Sequence, residues 1–179
     1  MTKLLLVRHA QTDWNAQKRL QGHADRSLSL EGRVQAIELG RTIANTSIDA
    51  VICSDLSRAR ETAALAGHGG AIPCPQWREM DVGYWSGEKI ADLELSAPEA
   101  YSAWRSGKAA PPGGETWTIF DSRVRDALAS IRNRGGKVLV VTHSGVIRAA
   151  LRIIGDKAQS STRSFANASV TVVDLQSTW

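Results

Sequence analysis

Two short stretches of this chain are apolar without interruption, Leu4 to Val7 and Val138 to Val141. Such runs have few places to go, because strands that are apolar on both faces belong inside a parallel sheet covered on either side. The first run stops at Arg8-His9 and the second at Thr142-His143. Parallel strands that end alike bring both histidines to the carboxyl edge of the sheet, where open α/β sheets bind ligands. An arginine there supplies a fixed cation with forked donors, and a histidine a nucleophile or proton carrier. The pair suits attack on an anionic phosphoryl group. Taken alone, the first run is also compatible with an ordinary basic loop.

The intervening sequence supplies the covering layers. After a strand at Lys3–Val7, a polar loop runs to Asp25, a length that in compact domains signals a functional loop. Ser29 is placed to cap a helix from Leu30 to Ala44, with Glu31 at its positive end and Val34, Ala36, Ile37, Leu39 and Ile43 as its buried face. Gly40 either weakens that helix or permits a close approach. Asp49–Cys53 reads as a second strand, and Ser54 and Asp55 as capping residues for a helix ending near Gly67. Arg58, early in that helix, can reach the same sheet edge; with Arg60 and Glu61 it can equally form surface pairs. Trp77–Gly87, with its tryptophans, glycines and acids, reads as a shaped loop. Short helices broken at Pro98 fill 88–106, and a longer helix opens at Pro111-Pro-Gly-Gly-Glu and runs to about Asn133. Lys137–Thr142 is the third clear strand, followed by a helix over Val146–Ile154 whose amino terminus faces His143. Ser169–Leu175 is a last strand, open to being an edge. Alternating strands and helices predict a three-layer α/β/α sandwich with a mostly parallel central sheet.

Composition narrows the function classes. With 179 residues, 42% hydrophobic and 22% charged, the chain fits a single domain over 1–179, with a short cap segment around 81–115. The formal charge of +4 comes from 22 basic and 18 acidic residues without a basic run, which argues against nucleic acid and for a small anionic substrate. Cys53 and Cys74 form neither a CxxC pair nor a disulfide framework. The four histidines lack short ligand spacings, so no metal site is expected. The only apolar run before Arg8 is Leu4 to Val7, too short for a signal core or a span, so no membrane association and a cytoplasmic location are expected. The oligomeric state is open.

Six segments, in order, carry a family resemblance: Leu6-Val-Arg-His-Ala-Gln-Thr with Trp14-Asn15; Leu28-Ser-Leu-Glu-Gly with Gln35-Ala36; Ser54-Asp-Leu-Ser-Arg-Ala-Arg-Glu-Thr-Ala; Arg78-Glu-Met-Asp-Val-Gly-Tyr-Trp-Ser-Gly; Pro112-Gly-Gly-Glu; and Val141-Thr-His-Ser-Gly-Val. The sequence resembles the histidine phosphatase superfamily. The resemblance implies a phosphoglycerate mutase-like fold and a metal-independent phosphatase that hydrolyses a small phosphomonoester, a phosphorylated metabolite, through a phosphohistidine, with no cofactor. Phosphoglycerate mutase and a catalytically inactive phosphate-binding protein are the alternatives. It further implies that His9 is the nucleophile, that Arg8, Arg58 and His143 disperse the phosphoryl charge, and that Glu79 protonates the leaving group, with Asp81 as its local rival. Asn15, Gln21, Gly22 and Ser144 are the implied substrate-binding residues. Glu115 is either a further acid near the pocket or a helix cap. Trp14, Trp85, Trp104 and Trp117 line a cap or pack in the core, and His23 and His68 read as loop histidines. Ala10 departs from the family's usual Arg-His-Gly, a change tolerable where the backbone angle is negative.

Overall fold

The computed structural model describes residues 1–155 and 164–175. The two apolar runs form its centre. Strand β1 (Thr2–Arg8) lies parallel to β4 (Gly136–Thr142), with Val7 opposite Val141 and Arg8 opposite Thr142. On the far side of β4 are β2 (Ala50–Cys53) and then β3 (Ile72–Pro73), both parallel; β5 (Val170–Leu175) closes the other side of β1 as an antiparallel edge. The period-two alternation of side chains sends β1 and β4 into two separate cores. Leu4, Leu6, Val138 and Val140 meet Phe120, Val124 and Ile147, on α6 (Trp117–Arg132) and α7 (Ser144–Ile153). Leu5, Val7, Leu139 and Val141 meet Leu39, Ile43, Ala59 and Ala63, on α2 (Leu30–Ile43) and α3 (Ser57–Leu65). Both faces are covered, as the uninterrupted runs require. A four-residue turn of helix, α1 (Asp13–Ala16), follows β1, and α4 (Ile90–Ser96) and α5 (Pro98–Arg105) meet at Pro98, the first residue of α5. Among the described residues no helix is long and apolar enough to cross a membrane.

Several local expectations are corrected. Ser29 does cap α2, accepting from the Gly32 amide at 3.0 Å. The buried face of α2, however, is Gly32, Ala36, Leu39 and Ile43, while Val34 and Ile37 are 61% and 43% exposed. Small residues decide this: a Cβ on Gly40 would lie 2.8 Å from the Ala66 carbonyl oxygen, so α2 and α3 approach through a stripe where larger side chains do not fit. Helix α3 starts at Ser57 without the predicted local cap. Asp25, from the polar loop, accepts from the Ser57 amide at 2.7 Å, and Asp55 is drawn away into a bidentate pair with Arg78 at 2.7 and 2.6 Å. Helix α6 begins at Trp117, capped by Thr116, rather than within the proline-glycine cluster, and α7 begins at Ser144.

Candidate active site

The register of β1 and β4 places the two histidines side by side. The His9 amide donates to the Thr142 carbonyl at 2.8 Å, and the imidazole rings sit edge to face with centroids 5.1 Å apart. Both rings are buried, and their hydrogen bonds fix opposite tautomers. His9 Nδ1 lies 2.7 Å from the Ala10 carbonyl, which can only accept, so Nδ1 carries the hydrogen and Nε2 keeps its lone pair. His143 Nδ1 lies 3.3 Å from Arg58 Nε, which can only donate, so here Nε2 carries the hydrogen. That His143 Nε2 is buried without a partner among the described residues, as is Arg8 Nε, leaving two donors of the kind an anion satisfies. Burial, followed by the Arg58 guanidinium, holds both imidazoles well below the usual 6.5, Arg8 adding to the effect; the lone pair of His9 is therefore free at neutral pH.

Arg58 is wholly buried at the foot of this pair. Its Nη1 and Nη2 donate to the Ala24 and Gly22 carbonyls at 2.8 Å each, so the polar loop after β1 holds the guanidinium in place. Burial lowers its pKa to about 10, which leaves it charged at neutral pH. Arg8 is anchored by Nη1 on the Phe165 carbonyl at 2.6 Å. Ala10 is buried and lies outside the positive-φ residues, so the departure from glycine costs the turn nothing.

Glu79 comes from the loop over α7. Its carboxylate accepts from its neighbour's amide at Met80, at 3.0 Å, and from the Gly145 amide at 3.1 Å, the latter in the first turn of the helix that follows His143. A Cβ at residue 145 would stand 2.2 Å from Glu79 Oε1, so a side chain there displaces the acid. The rival, Asp81, is turned into its own loop, accepting from the Gly83 amide at 3.0 Å. Sequence reasoning missed the residue that holds this loop. Arg123, on α6, donates to the carbonyls of Gln76, Arg78 and Glu79 at 3.0, 2.7 and 2.8 Å and pairs with Glu115 at 2.7 Å. Glu115 is thus an anchor for Arg123 and not a helix cap. No spacing in α6 signals this; only the α6 packing on the loop does. His23 also reaches the loop, its Nε2 lying 2.9 Å from the Glu79 carbonyl.

These groups open onto one cavity of about 360 Å³ lined by Arg8, His9, Arg58 and Glu79, and by the expected Asn15, Gln21, Gly22 and Ser144. His143 is fully buried and does not line the cavity; its ring packs edge to face on that of His9, which does. Asn15 is also structural, bonding Thr12 in a reciprocal cap, while Gln21 accepts from Thr12 Oγ1 at 3.1 Å. Trp104 and Trp117 line the cavity; Trp85 packs against Tyr101 and Trp104 in the core. Trp14 stacks under Arg26, outside it. His68 lines a different, open depression beside Cys53. Among the described residues no group of three His, Cys, Asp or Glu could hold a metal ion.

Residues 4–178 match the sequence profile of the histidine phosphatase superfamily, branch 1. The metal-independent phosphoserine phosphatase of Arabidopsis thaliana is 37% identical over 98% of this chain and 77% of its own length. The solved structure of a mycobacterial glucosyl-3-phosphoglycerate phosphatase, complexed with VO3, has a TM-score of 0.85 at 31% identity, covering 95% of this chain and 91% of that one. A phosphoglycerate mutase from Thermus thermophilus has a TM-score of 0.79 at 34% identity, covering 96% and 92%.

Proposed function

The chain belongs to branch 1 of the histidine phosphatase superfamily and is a phosphoric monoester hydrolase, and on that premise we propose how its own residues divide the work. The phosphoryl group of a small ester sits against Arg8 Nε, Arg58 and His143 Nε2–H, which meet its nonbridging oxygens. His9 Nε2 then attacks phosphorus in line, forming an N–P bond as the P–O ester bond breaks. Glu79 passes its proton to the departing oxygen. Water next attacks the phosphohistidine, Glu79 takes up its proton, the N–P bond breaks, and inorganic phosphate leaves. Phosphoryl transfer demands chiefly positioning and dispersed positive charge, which the two arginines and His143 supply.

The observation that carries this reading is the pair of opposite tautomers: one ring offers a lone pair and its neighbour a donor, at ring centroids 5.1 Å apart. The test is hydrolysis of p-nitrophenyl phosphate with chelator present, alongside rapid quenching of a labelled ester. A base-stable, acid-labile phosphoenzyme is expected, absent in His9→Ala. Label persisting at His143 overturns the assignment, and phosphate transferred to a second metabolite in place of release to water makes the protein a mutase.

A further inference from the structure

The cavity carries more positive charge than one phosphoryl group uses. Beyond Arg8 and Arg58 it is lined by Lys18, Arg19, Arg105, Arg148 and Arg152, while Glu79 is its one carboxylate among the described residues. Three of those cations are committed or peripheral. Arg19 donates to the Gly87 carbonyl, Arg152 pairs with Asp121, and Lys18 is exposed. Arg148 is different. It is half-buried, its guanidinium lies 5.4 Å from the Phe165 ring centroid, and its Nη1 is buried with no hydrogen-bond partner among the described residues. A buried guanidinium nitrogen left without an acceptor is costly unless a ligand supplies one.

Its position is set by the helix. Ser144 and Arg148 are four residues apart on α7 and so share a face, with Arg148 about 6 Å further from the phosphoryl end. Arg148 lies within electrostatic reach of Arg8, Glu79 and Arg105, the last exposed on α5 at the cavity rim with its guanidinium 5.8 Å from the Trp104 ring centroid. The same cavity is also lined by the apolar Trp104, Trp117, Phe120 and Ile90. We propose that Arg148, assisted by Arg105, is a specificity-determining residue that binds a second anionic group of the substrate. The substrate class is then a small phosphomonoester bearing a carboxylate or a second phosphate about one helical turn from the reacting phosphorus.

This rests on the phosphatase reading, and the two fail differently. The test compares 3-phosphonooxypropanoate, its uncharged carboxamide, and propane-1,3-diol bisphosphate as substrates. The wild type is expected to favour the acid over the amide by tenfold or more in kcat/KM, mainly through KM, since a charge-assisted contact is worth about ten- to a hundredfold. In Arg148→Gln that preference collapses toward one, and Arg148→Lys restores part of it. The bisphosphate distinguishes a phosphate-reading from a carboxylate-reading subsite. A wild-type acid-to-amide ratio near one overturns the proposal, as does an Arg148→Gln enzyme that loses both substrates equally. Should Arg148→Gln not fold, the wild-type ratio decides. If the wild type releases no phosphate from any ester, p-nitrophenyl phosphate included, it is the phosphatase reading that falls.

Discussion

At the scale of single residues, the site depends on keeping two histidines uncharged in a field of arginines. Their protons are refused by burial and by Arg58, so the folded chain binds fewer protons than the unfolded chain once the pH drops below the ordinary value of 6.5. Stability from this source is complete above 6.5 and is lost as the pH falls, with a limiting slope of about 1.4 kcal/mol per pH unit for each histidine. Chemical denaturation of the wild type between pH 7.5 and 5 should show that slope, and His143→Asn should reduce it. The same cause puts the acid limb of kcat/KM below 6.5, and Arg58→Met should move the limb upward, read from pH–rate profiles. Gly145 makes a second residue-scale prediction. Alanine there forces Glu79 aside, at little cost to the fold because the contact is with the free end of a flexible side chain. Hydrolysis of alkyl phosphates should fall about a hundredfold, the usual worth of a positioned acid. That of p-nitrophenyl phosphate, whose leaving group needs little protonation, should fall far less.

At the scale of elements, helices do two jobs here: they cover the sheet and they hold loops. Helix α6 does the second through Arg123, whose side chain and that of Glu115 are 17% and 9% exposed. Breaking a pair so buried strands one charge, a loss on the order of 3 kcal/mol. Arg123→Met should lower stability by that amount and reduce kcat by loosening the Glu79 loop, although Arg123 does not line the cavity. Pairing it with Glu115→Leu should recover stability and leave the activity low, as denaturant titration and steady-state assays would show. Helix α2 does the first job. Gly40→Ala would favour an isolated helix by about 1 kcal/mol. In this protein the added methyl meets the Ala66 backbone, and overpacking of that kind costs about 1–3 kcal/mol. The expected outcome is a net loss of stability, measured by thermal or denaturant unfolding.

At the scale of the whole molecule, a sequence pI near 9.4 and a cation-lined cavity give an attractive field for anionic esters. Raising ionic strength from about 0.02 M to 0.5 M contracts the screening length severalfold, so kcat/KM should drop while kcat at saturation holds. The sheet and its chemistry were legible in the sequence because local rules settle them. Two continuous apolar runs read together as central strands, a strand ending in Arg-His presents those groups at the carboxyl edge, and the family resemblance rests on six segments in the family's order. The fold class, a last strand at Ser169–Leu175 and the meeting of Arg8, His9 and His143 follow; that this strand runs antiparallel to β1 and that Arg58 turns to the site and not to surface pairs came from the structure. What was misread depends on contacts between distant segments. Which face of α2 is buried turned on the fit of Gly40 against Ala66, the cap of α3 came from Asp25 across the chain, and the clamp on Glu79 came from Arg123, 44 residues away. The sequence by itself thus determined which groups meet at the sheet edge, since backbone period and strand direction are local properties. Only the tertiary structure decided their tautomers, the seating of Glu79 over Gly145 and the unpartnered nitrogen of Arg148, because hydrogen-bond partners and charge environment exist only once remote segments have packed.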